Sequence, residues 1–209
     1  MSLIRRQFLA QGAIGLLAAC TRNSGTDTLY VGDQRGGQKV VLAALEAQGK
    51  PLDAVTFAFL TPHDGEAALK SGAVDAWAIW DPNATLAVQN GARIVEGSVG
   101  LAPSYTLQFV SDKAIAAKRP LLSDYSERLY RGWQWAIDHG DTYARMLERE
   151  TGLAFDIWQE VGRKTRRVPV PITAELIADQ QKTADRYYRA GLLAHPLQVT
   201  HAFDKSFHP

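Results

Sequence analysis

The feature that most constrains the fold is an alternation of short apolar runs with segments of helical spacing over residues 28–95. The apolar runs are rich in Val, Phe and Ile and predict β-strands, whereas the segments between them repeat apolar residues every three or four positions. Strands that alternate with helices predict βαβ units and a parallel sheet. The predicted strands cover residues 28–31, 54–60, 74–79 and 91–95, with a further strand at 105–110, and the helices begin at 38, 61–64 and 82.

The second half of the sequence is predicted to be helical. Apolar residues keep helical spacing over residues 120–139, 141–151, 155–163 and 173–190. We therefore predict two parts, an α/β lobe at residues 28–111 and a helical C-terminal region at residues 112–209.

The N-terminus has the pattern of an export signal. Arg5 and Arg6 precede a run at residues 8–19 that is apolar apart from Gln11. The run has the length of a signal-peptide core and is too short to span a bilayer. The two arginines resemble a twin-arginine signal, although Ile4 stands where that pattern has Ser or Thr. The pattern predicts a signal peptide at residues 1–19 and leaves the export route open.

Cys20, the only cysteine, follows Leu-Ala-Ala as in a bacterial lipobox. This pattern predicts a lipid on the Cys20 thiol and a flexible tether at residues 20–27. The lipid would anchor the protein to a membrane without spanning it, which implies a periplasmic or cell-envelope location. The alternative is a free or buried thiol near a cleaved signal.

Composition and motifs exclude several classes of function. The formal net charge of +1 gives no reason to expect a nucleic-acid partner. The five histidines lack metal-ligand spacing and no nucleophile motif occurs. We therefore predict a protein that is not an enzyme and that uses no cofactor or metal.

A glycine-rich loop at residues 32–37 joins the first strand to the first helix. Glycines let a backbone approach a ligand closely, and the free N–H groups of a helix start favour an anion. Gln34, Arg35, Gly36 and Gly37 are therefore candidates for binding a sulfonate, sulfate or carboxylate, with the Arg35 guanidinium as a forked donor. A tight turn without a ligand explains the loop equally well. The sequence of the loop matches neither the phosphate-loop motif nor the dinucleotide-binding motif.

The third predicted strand carries two tryptophans and ends at Asp81-Pro82. Trp77 and Trp80 are three positions apart, which places them on opposite faces of an extended strand. Trp80 is nearer the carboxyl end, where open α/β sheets bind ligands. Trp80 and Asp81 are therefore candidate site residues and Trp77 is partly structural. Alternatively, Asp81-Pro82 forms only a helix cap and first-turn proline.

Taken together, several segments resemble the alkanesulfonate- and taurine-type substrate-binding proteins of ABC importers, within the nitrate, sulfonate and thiamine-precursor binding superfamily. These segments are the opening strand and loop at 29–37 and the Trp-Asp-Pro motif at 80–82, together with the stretches at 42–46, 55–60, 111–115, 118–120, 168–172, 180–185 and 202–207. The resemblance covers nearly all of the chain after the signal. It implies a fold of the periplasmic-binding-protein type II class, with two α/β lobes that close on a ligand.

The chain departs from that family in length. The opening loop leads directly into a helix that resembles a helix of the second lobe, so the first lobe is predicted to be truncated by an internal deletion. The strand at 28–31 then either stays with the C-terminal helices or replaces the first strand of lobe two. The short connection to residue 40 favours replacement, which requires pairing with strands 54–60 and 74–79.

The resemblance implies a binding lipoprotein that delivers a small organic anion, such as an aliphatic sulfonate, to an ABC permease. The glycine loop would hold the anionic head, Trp80 the organic part and Asp81 a polar group, with Tyr105 on the opposite wall. One alternative is a degenerate lobe that no longer binds ligand and acts by interaction, for example as a homodimer. A weaker alternative is a pyrimidine or thiamine-precursor protein.

Overall fold

The computed structural model describes residues 28–34, 36–165 and 167–207. The predicted signal peptide, Cys20, the tether and Arg35 lie outside the described residues.

A three-stranded parallel sheet forms the centre of the N-terminal part. The strands are ordered β2-β1-β3, and Val31 of the central strand lies opposite Phe57 on one side and Ala76 on the other. The first strand therefore pairs with both later strands, which confirms the preferred replacement architecture. The strands are β1 (Leu29–Asp33), β2 (Val55–Phe59) and β3 (Ala76–Ala78).

Three helices connect and follow these strands. Each begins where the sequence supplies a turn or a cap; for example, the Thr61 hydroxyl accepts the backbone N–H of Asp64 at 3.2 Å. The parallel strands with intervening helices confirm the predicted α/β class. The helices are α1 (Gln38–Ala47), α2 (Pro62–Ser71) and α3 (Asn83–Gln89).

Helices make up most of the chain after residue 111. The first of them is long and kinked at Lys118, two residues before Pro120, because a proline excludes helical geometry and a hydrogen bond in the preceding turn. They are α4 (Asp112–Asp138), α5 (Gly140–Thr151), α6 (Phe155–Lys164) and α7 (Ala174–Arg189), followed by a 3-10 turn at Thr200–Ala202.

Two predicted strands are wrong. Residues 92–97 and 102–111 have no regular secondary structure. Val95 is 92% exposed and Phe109 is 90% exposed, so these β-forming residues lack the cross-strand neighbours that make strand propensity effective. Apolar composition alone therefore predicted more strands than the sheet contains.

The buried apolar core is small and divided among a few elements. Within the described residues, twelve apolar residues are buried. Among them are Val31, Leu42 and Val55 around the sheet, Ala144, Ile157 and Val161 on α5 and α6, and Leu176, Ile177 and Ala184 on α7. None of the helices in the described ranges is both long enough and apolar enough to cross a membrane.

Candidate functional site

The candidate site is built around the junction of β1 and α1. Asp33 ends β1 and is fully buried, and its Oδ1 atom accepts the Gly37 backbone N–H at 2.7 Å. A Cβ atom on Gly37 would lie 2.4 Å from the Cβ of Ala78. Glycine is therefore required here by packing, and its N–H is already used by Asp33.

Trp80 covers the glycine loop from β3. A Cβ atom on Gly36 would lie 2.9 Å from Cζ3 of the Trp80 ring, so the ring rests on the backbone of the loop. Trp80 is nevertheless 48% exposed. The loop and the indole together form a surface with polar backbone on one side and an exposed aromatic face on the other.

Trp77 points toward a different part of the protein. Its Nε1 atom lies 2.4 Å from where a Cβ on Gly65 of α2 would be, and its Cδ1 lies 3.5 Å from the corresponding position on Gly32. Trp77 therefore packs between the sheet and α2. Its position agrees with the structural part of its predicted role.

Asp81 takes part in capping α3. Its Oδ1 atom accepts both the Thr85 backbone N–H at 3.1 Å and the Thr85 hydroxyl at 2.6 Å. Thr85 is only 2% exposed. This geometry matches the alternative prediction, in which Asp81 organises the start of a helix.

Tyr105 reaches the first turn of α1 from the loop before α4. Its ring lies 5.7 Å from the Lys39 ammonium, and its hydroxyl donates to Asp179 of α7 at 3.4 Å. Burial raises the pKa of the Tyr105 phenol, and the negative charge of Asp179 raises it further. Burial lowers the pKa of Lys39, although Asp179 opposes that effect.

A cavity adjoins this cluster. It is open to solvent, has a volume of about 480 Å³ and is lined by residues 98–104 together with Asp179. The Lys39 ammonium donates to the backbone carbonyl of Pro103 in its wall. The cavity thus lies beside Tyr105 at the first turn of α1.

Sequence reasoning missed Tyr187, which brings α7 to the same place. Burial raises the pKa of the Tyr187 phenol and the Asp33 carboxylate raises it further, whereas a hydrogen bond from the Lys39 backbone N–H lowers it. No pattern in the sequence indicates that Tyr187 contacts the start of α1, because the two are far apart in the chain. The position of Asp33 directly before the glycine loop could have marked it as a site residue. The predicted strand ended two residues too early, so Asp33 was assigned to the loop.

The second contact of α7 with α1 is an ion-pair cluster. Arg186 donates to Oε2 of Glu46 through Nε at 2.9 Å and Nη2 at 2.6 Å, and Arg189 donates to Oε1. The hydrogen bonds from Arg186 are the main reason that the pKa of Glu46 lies below its ordinary value. The cluster holds α7 against the end of α1 opposite the candidate site.

The structure therefore brings some of the predicted residues together. Trp80 contacts Gly36, the neighbour of Gly37 at the start of α1, and Tyr105 reaches the first turn of α1 through Lys39. Gln34 is exposed directly after β1. In the part of the chain that the structure describes, no three His, Cys, Asp or Glu side chains form a group able to hold a metal ion.

Comparisons with known proteins place this architecture among the binding proteins. The alkanesulfonate-binding protein SsuA from Xanthomonas axonopodis pv. citri, solved with MOPS bound, superposes with a TM-score of 0.74 at 27% identity, covering 84% of this chain and 62% of that one. The periplasmic aliphatic sulphonate binding protein SsuA from Escherichia coli superposes with the same TM-score at 22% identity, covering 90% and 65%. The latter likeness concerns the fold alone.

Sequence comparison gives the same picture. A putative aliphatic sulfonates-binding protein of Escherichia coli K12 is 29% identical over 168 residues, covering 77% of this chain and 51% of that protein. A protein of the same description from Bacillus subtilis 168 is 26% identical over 157 residues, covering 73% and 47%. The chain thus spans about half the length of these curated relatives. No family model matches the chain.

The fold is that of the periplasmic binding proteins, shortened relative to the solved chains. Within that class the predicted resemblance to the aliphatic sulfonate-binding proteins of ABC importers is confirmed. These relatives are binding proteins rather than enzymes, in agreement with the prediction for this chain.

Proposed function

We propose that this protein is an extracytoplasmic substrate-binding component of an ABC importer, which binds a small organic anion such as an aliphatic sulfonate and delivers it to a permease. The observation that carries the proposal is the contact of the Trp80 ring with the Gly36 backbone at the start of α1. This contact sets an aromatic face beside a helix N-terminus, which suits a ligand with an organic part and an anionic head.

In this proposal the anionic head is held by Gln34, Arg35 and the Gly36 backbone. Gly37 has a supporting role, because its N–H is used by Asp33 and it lets the loop close on Ala78. The exposed face of the Trp80 indole contacts the organic part of the ligand.

Three further predicted residues surround this core of the site. Tyr105 forms the opposite wall beside the cavity. Asp81 and Trp77 act indirectly in this proposal, Asp81 through the start of α3 and Trp77 through packing on α2.

The test is isothermal titration of the protein with short alkanesulfonates, taurine, nitrate and sulfate. We expect an alkanesulfonate to bind more tightly than sulfate, which has no organic part, and Trp80→Ala to weaken binding at least about tenfold. The matched control is Trp135→Ala, because Trp135 on α4 is exposed to a similar extent, 41%. That variant should bind like the unmodified chain.

Two results would contradict the proposal. Failure of the folded protein to bind any of these anions would reject the function and favour the alternative of an interaction protein. Binding that Trp80→Ala leaves unchanged would reject the site and keep the function.

The proposed location includes a lipid on Cys20 that anchors the protein at the membrane surface. The support is the Leu-Ala-Ala-Cys pattern after an apolar run. Labelling cells with a radioactive fatty acid should mark the protein, and Cys20→Ser should remove the label. An unlabelled mature protein would reject the anchor.

A further inference from the structure

Two buried polar side chains lie at the start of α1. Asp33 ends β1 and is fully buried, and Gln38 is the first residue of α1 and is 4% exposed. Side chains of these types are seldom buried without a hydrogen-bonding partner. Their hydrogen bonds therefore show whether the protein alone satisfies the polar groups at this place.

One oxygen of the Asp33 carboxylate is unsatisfied. Oδ1 accepts the Gly37 backbone N–H at 2.7 Å, whereas Oδ2 is excluded from solvent and accepts no hydrogen bond from the described part of the chain. The ammonium of Lys39, on the first turn of α1, donates to the backbone carbonyl of Pro103 instead. A buried carboxylate with an unsatisfied oxygen favours a positively charged or hydrogen-bond-donating group nearby.

The Gln38 amide is also without a partner among the described residues, but it is not excluded from solvent. In the described ranges, Oδ2 of Asp33 is the only side-chain polar atom that is both excluded from solvent and unsatisfied, so the amide atoms of Gln38 keep contact with solvent. The rest of the side chain is packed, one helical turn before the fully buried Leu42.

The Gln38 amide extends toward the candidate site. Side chains in a helix tilt toward its N-terminus, so a side chain at the first helical position extends toward the preceding loop. In that loop the Gly36 backbone carries the Trp80 ring, and Gly37 packs on Ala78 at the end of β3. Gln38 therefore lies at the carboxyl edge of the sheet, where open α/β sheets bind ligands.

The charge of Asp33 acts beyond its own strand. Burial raises the pKa of the Tyr187 phenol on α7, and the Asp33 carboxylate raises it further. Gln38 stands between Gly37, which donates to Asp33, and Lys39, whose backbone N–H donates to Tyr187. A ligand group at the Gln38 amide therefore lies within the field of the buried carboxylate, which little water screens.

We propose that Gln38 and Asp33 form a subsite for a hydrogen-bond-donating group on the organic part of the ligand, and that a positively charged donor is preferred. This inference rests on the proposed function, in which the glycine loop holds the anionic head. The Gln38 amide oxygen accepts the hydrogen bond, and the buried charge of Asp33 favours an ammonium over a hydroxyl. The ligand class is therefore a sulfonate with an amine on its carbon chain.

A plain alkyl chain suits this subsite less well. An alkyl group placed against Gln38 would exclude water from the amide and leave it without any hydrogen bond, which is unfavourable. A donor on the ligand satisfies the amide oxygen at the same time as it displaces the water. The two side chains therefore discriminate between ligands of one shape by what their terminal group donates.

The experiment is isothermal titration of the full chain at neutral pH with three sulfonates of nearly equal size. Propanesulfonate, hydroxyethanesulfonate and taurine share a sulfonate on a short carbon chain, and they end in a methyl, a hydroxyl and an ammonium group. We expect taurine to bind at least about tenfold more tightly than propanesulfonate, with hydroxyethanesulfonate between them.

Gln38→Leu should remove most of this preference, because leucine has a similar size and no polar group. We expect the substitution to weaken taurine binding at least about tenfold and not to weaken propanesulfonate binding. The matched control is Gln48→Leu, because Gln48 is an exposed glutamine at the other end of α1. That variant should bind all three sulfonates like the unmodified chain.

Asp33→Asn tests the charge separately. The asparagine oxygen can still accept the Gly37 N–H, and taurine should lose its advantage over hydroxyethanesulfonate. Asp53→Asn is the matched control, because Asp53 is exposed and precedes β2, at the opposite edge of the sheet. Should Asp33→Asn fail to fold, the preference of the unmodified chain and its loss in Gln38→Leu decide the question.

Propanesulfonate that binds as tightly as taurine would overturn the subsite and leave the proposed function intact. A preference for taurine that Gln38→Leu leaves unchanged would also overturn it, since the donor would then be recognised elsewhere. Failure of the folded chain to bind any of the three sulfonates would reject the proposed function, and this inference with it.

Discussion

At the scale of single residues, the closeness of β1, β3 and the start of α1 leaves no room for a side chain at Gly37. Gly37→Ala would place a methyl group 2.4 Å from the Cβ of Ala78 and 2.7 Å from Oδ1 of Asp33. We expect a loss of about 1–3 kcal/mol in the free energy of unfolding, because overpacking forces the backbone to move. Urea denaturation measures it.

Gly162→Ala is the control for that substitution. Gly162 lies inside α6, and an added Cβ meets nothing within 4 Å. Alanine is a better helix former than glycine, so stability should rise by up to about 1 kcal/mol. Equal effects at the two glycines would contradict the packing argument.

Individual residues also show which parts of the candidate site could be predicted from the sequence and which could not. Glycines 36 and 37 and Trp80 could be selected as candidate binding residues because they lie at strand ends, where open α/β sheets bind ligands. Tyr187 was not recognisable, because its contact with the first turn of α1 depends on how α7 packs. For Asp81, the sequence left two roles open, and the hydrogen bonds from Thr85 match the cap.

At the scale of secondary-structure elements, the contact between α1 and α7 depends on Glu46. Because hydrogen bonds from Arg186 hold the pKa of Glu46 below its ordinary value, the ion pair stabilises the fold at neutral pH. This stabilisation is lost as the pH falls through the pKa of the folded state. We expect Glu46→Gln to cost about 1 kcal/mol at pH 7, a value reduced for the solvent exposure of Glu46.

The measurement is the free energy of unfolding of both proteins between neutral pH and about pH 3, below the ordinary pKa of a glutamate. The difference between them should shrink as the pH falls. Asp124→Asn, which breaks a pair with Arg128 inside α4, should have a smaller effect because that pair joins no separate elements. A difference that stays constant with pH would show that Glu46 acts through packing.

The elements show how much of the fold could be predicted. The three paired strands and the main helices were recognisable, because their apolar spacing matches the faces that they bury. The runs at 91–95 and 105–110 contain the same residue types, but no neighbouring strand covers Val95 or Phe109. Pairing is a property of the whole sheet, so composition within a run does not determine it.

At the scale of the whole molecule, the chain spans 62% of the solved chain from Xanthomonas and its described part holds one three-stranded sheet. Two-lobed binding proteins close around a ligand by a hinge motion. We expect sulfonate binding to change the radius of gyration by less than about 0.5 Å, because one sheet has no second sheet to close upon.

Small-angle scattering with and without a saturating alkanesulfonate makes this measurement, at a concentration where the oligomeric state is the same in both samples. A decrease of about 1 Å or more would contradict the expectation. It would show that the helices after residue 111 move against the sheet as a second lobe.

The position of β1 has a consequence for the biogenesis of the protein. The central strand of the sheet is synthesised first, and its neighbours Val55–Phe59 and Ala76–Ala78 come later in the chain. A bare strand edge is a template for pairing with other chains. A nascent chain therefore carries a strand with two bare edges until residue 59 has been synthesised, and with one bare edge until residue 78.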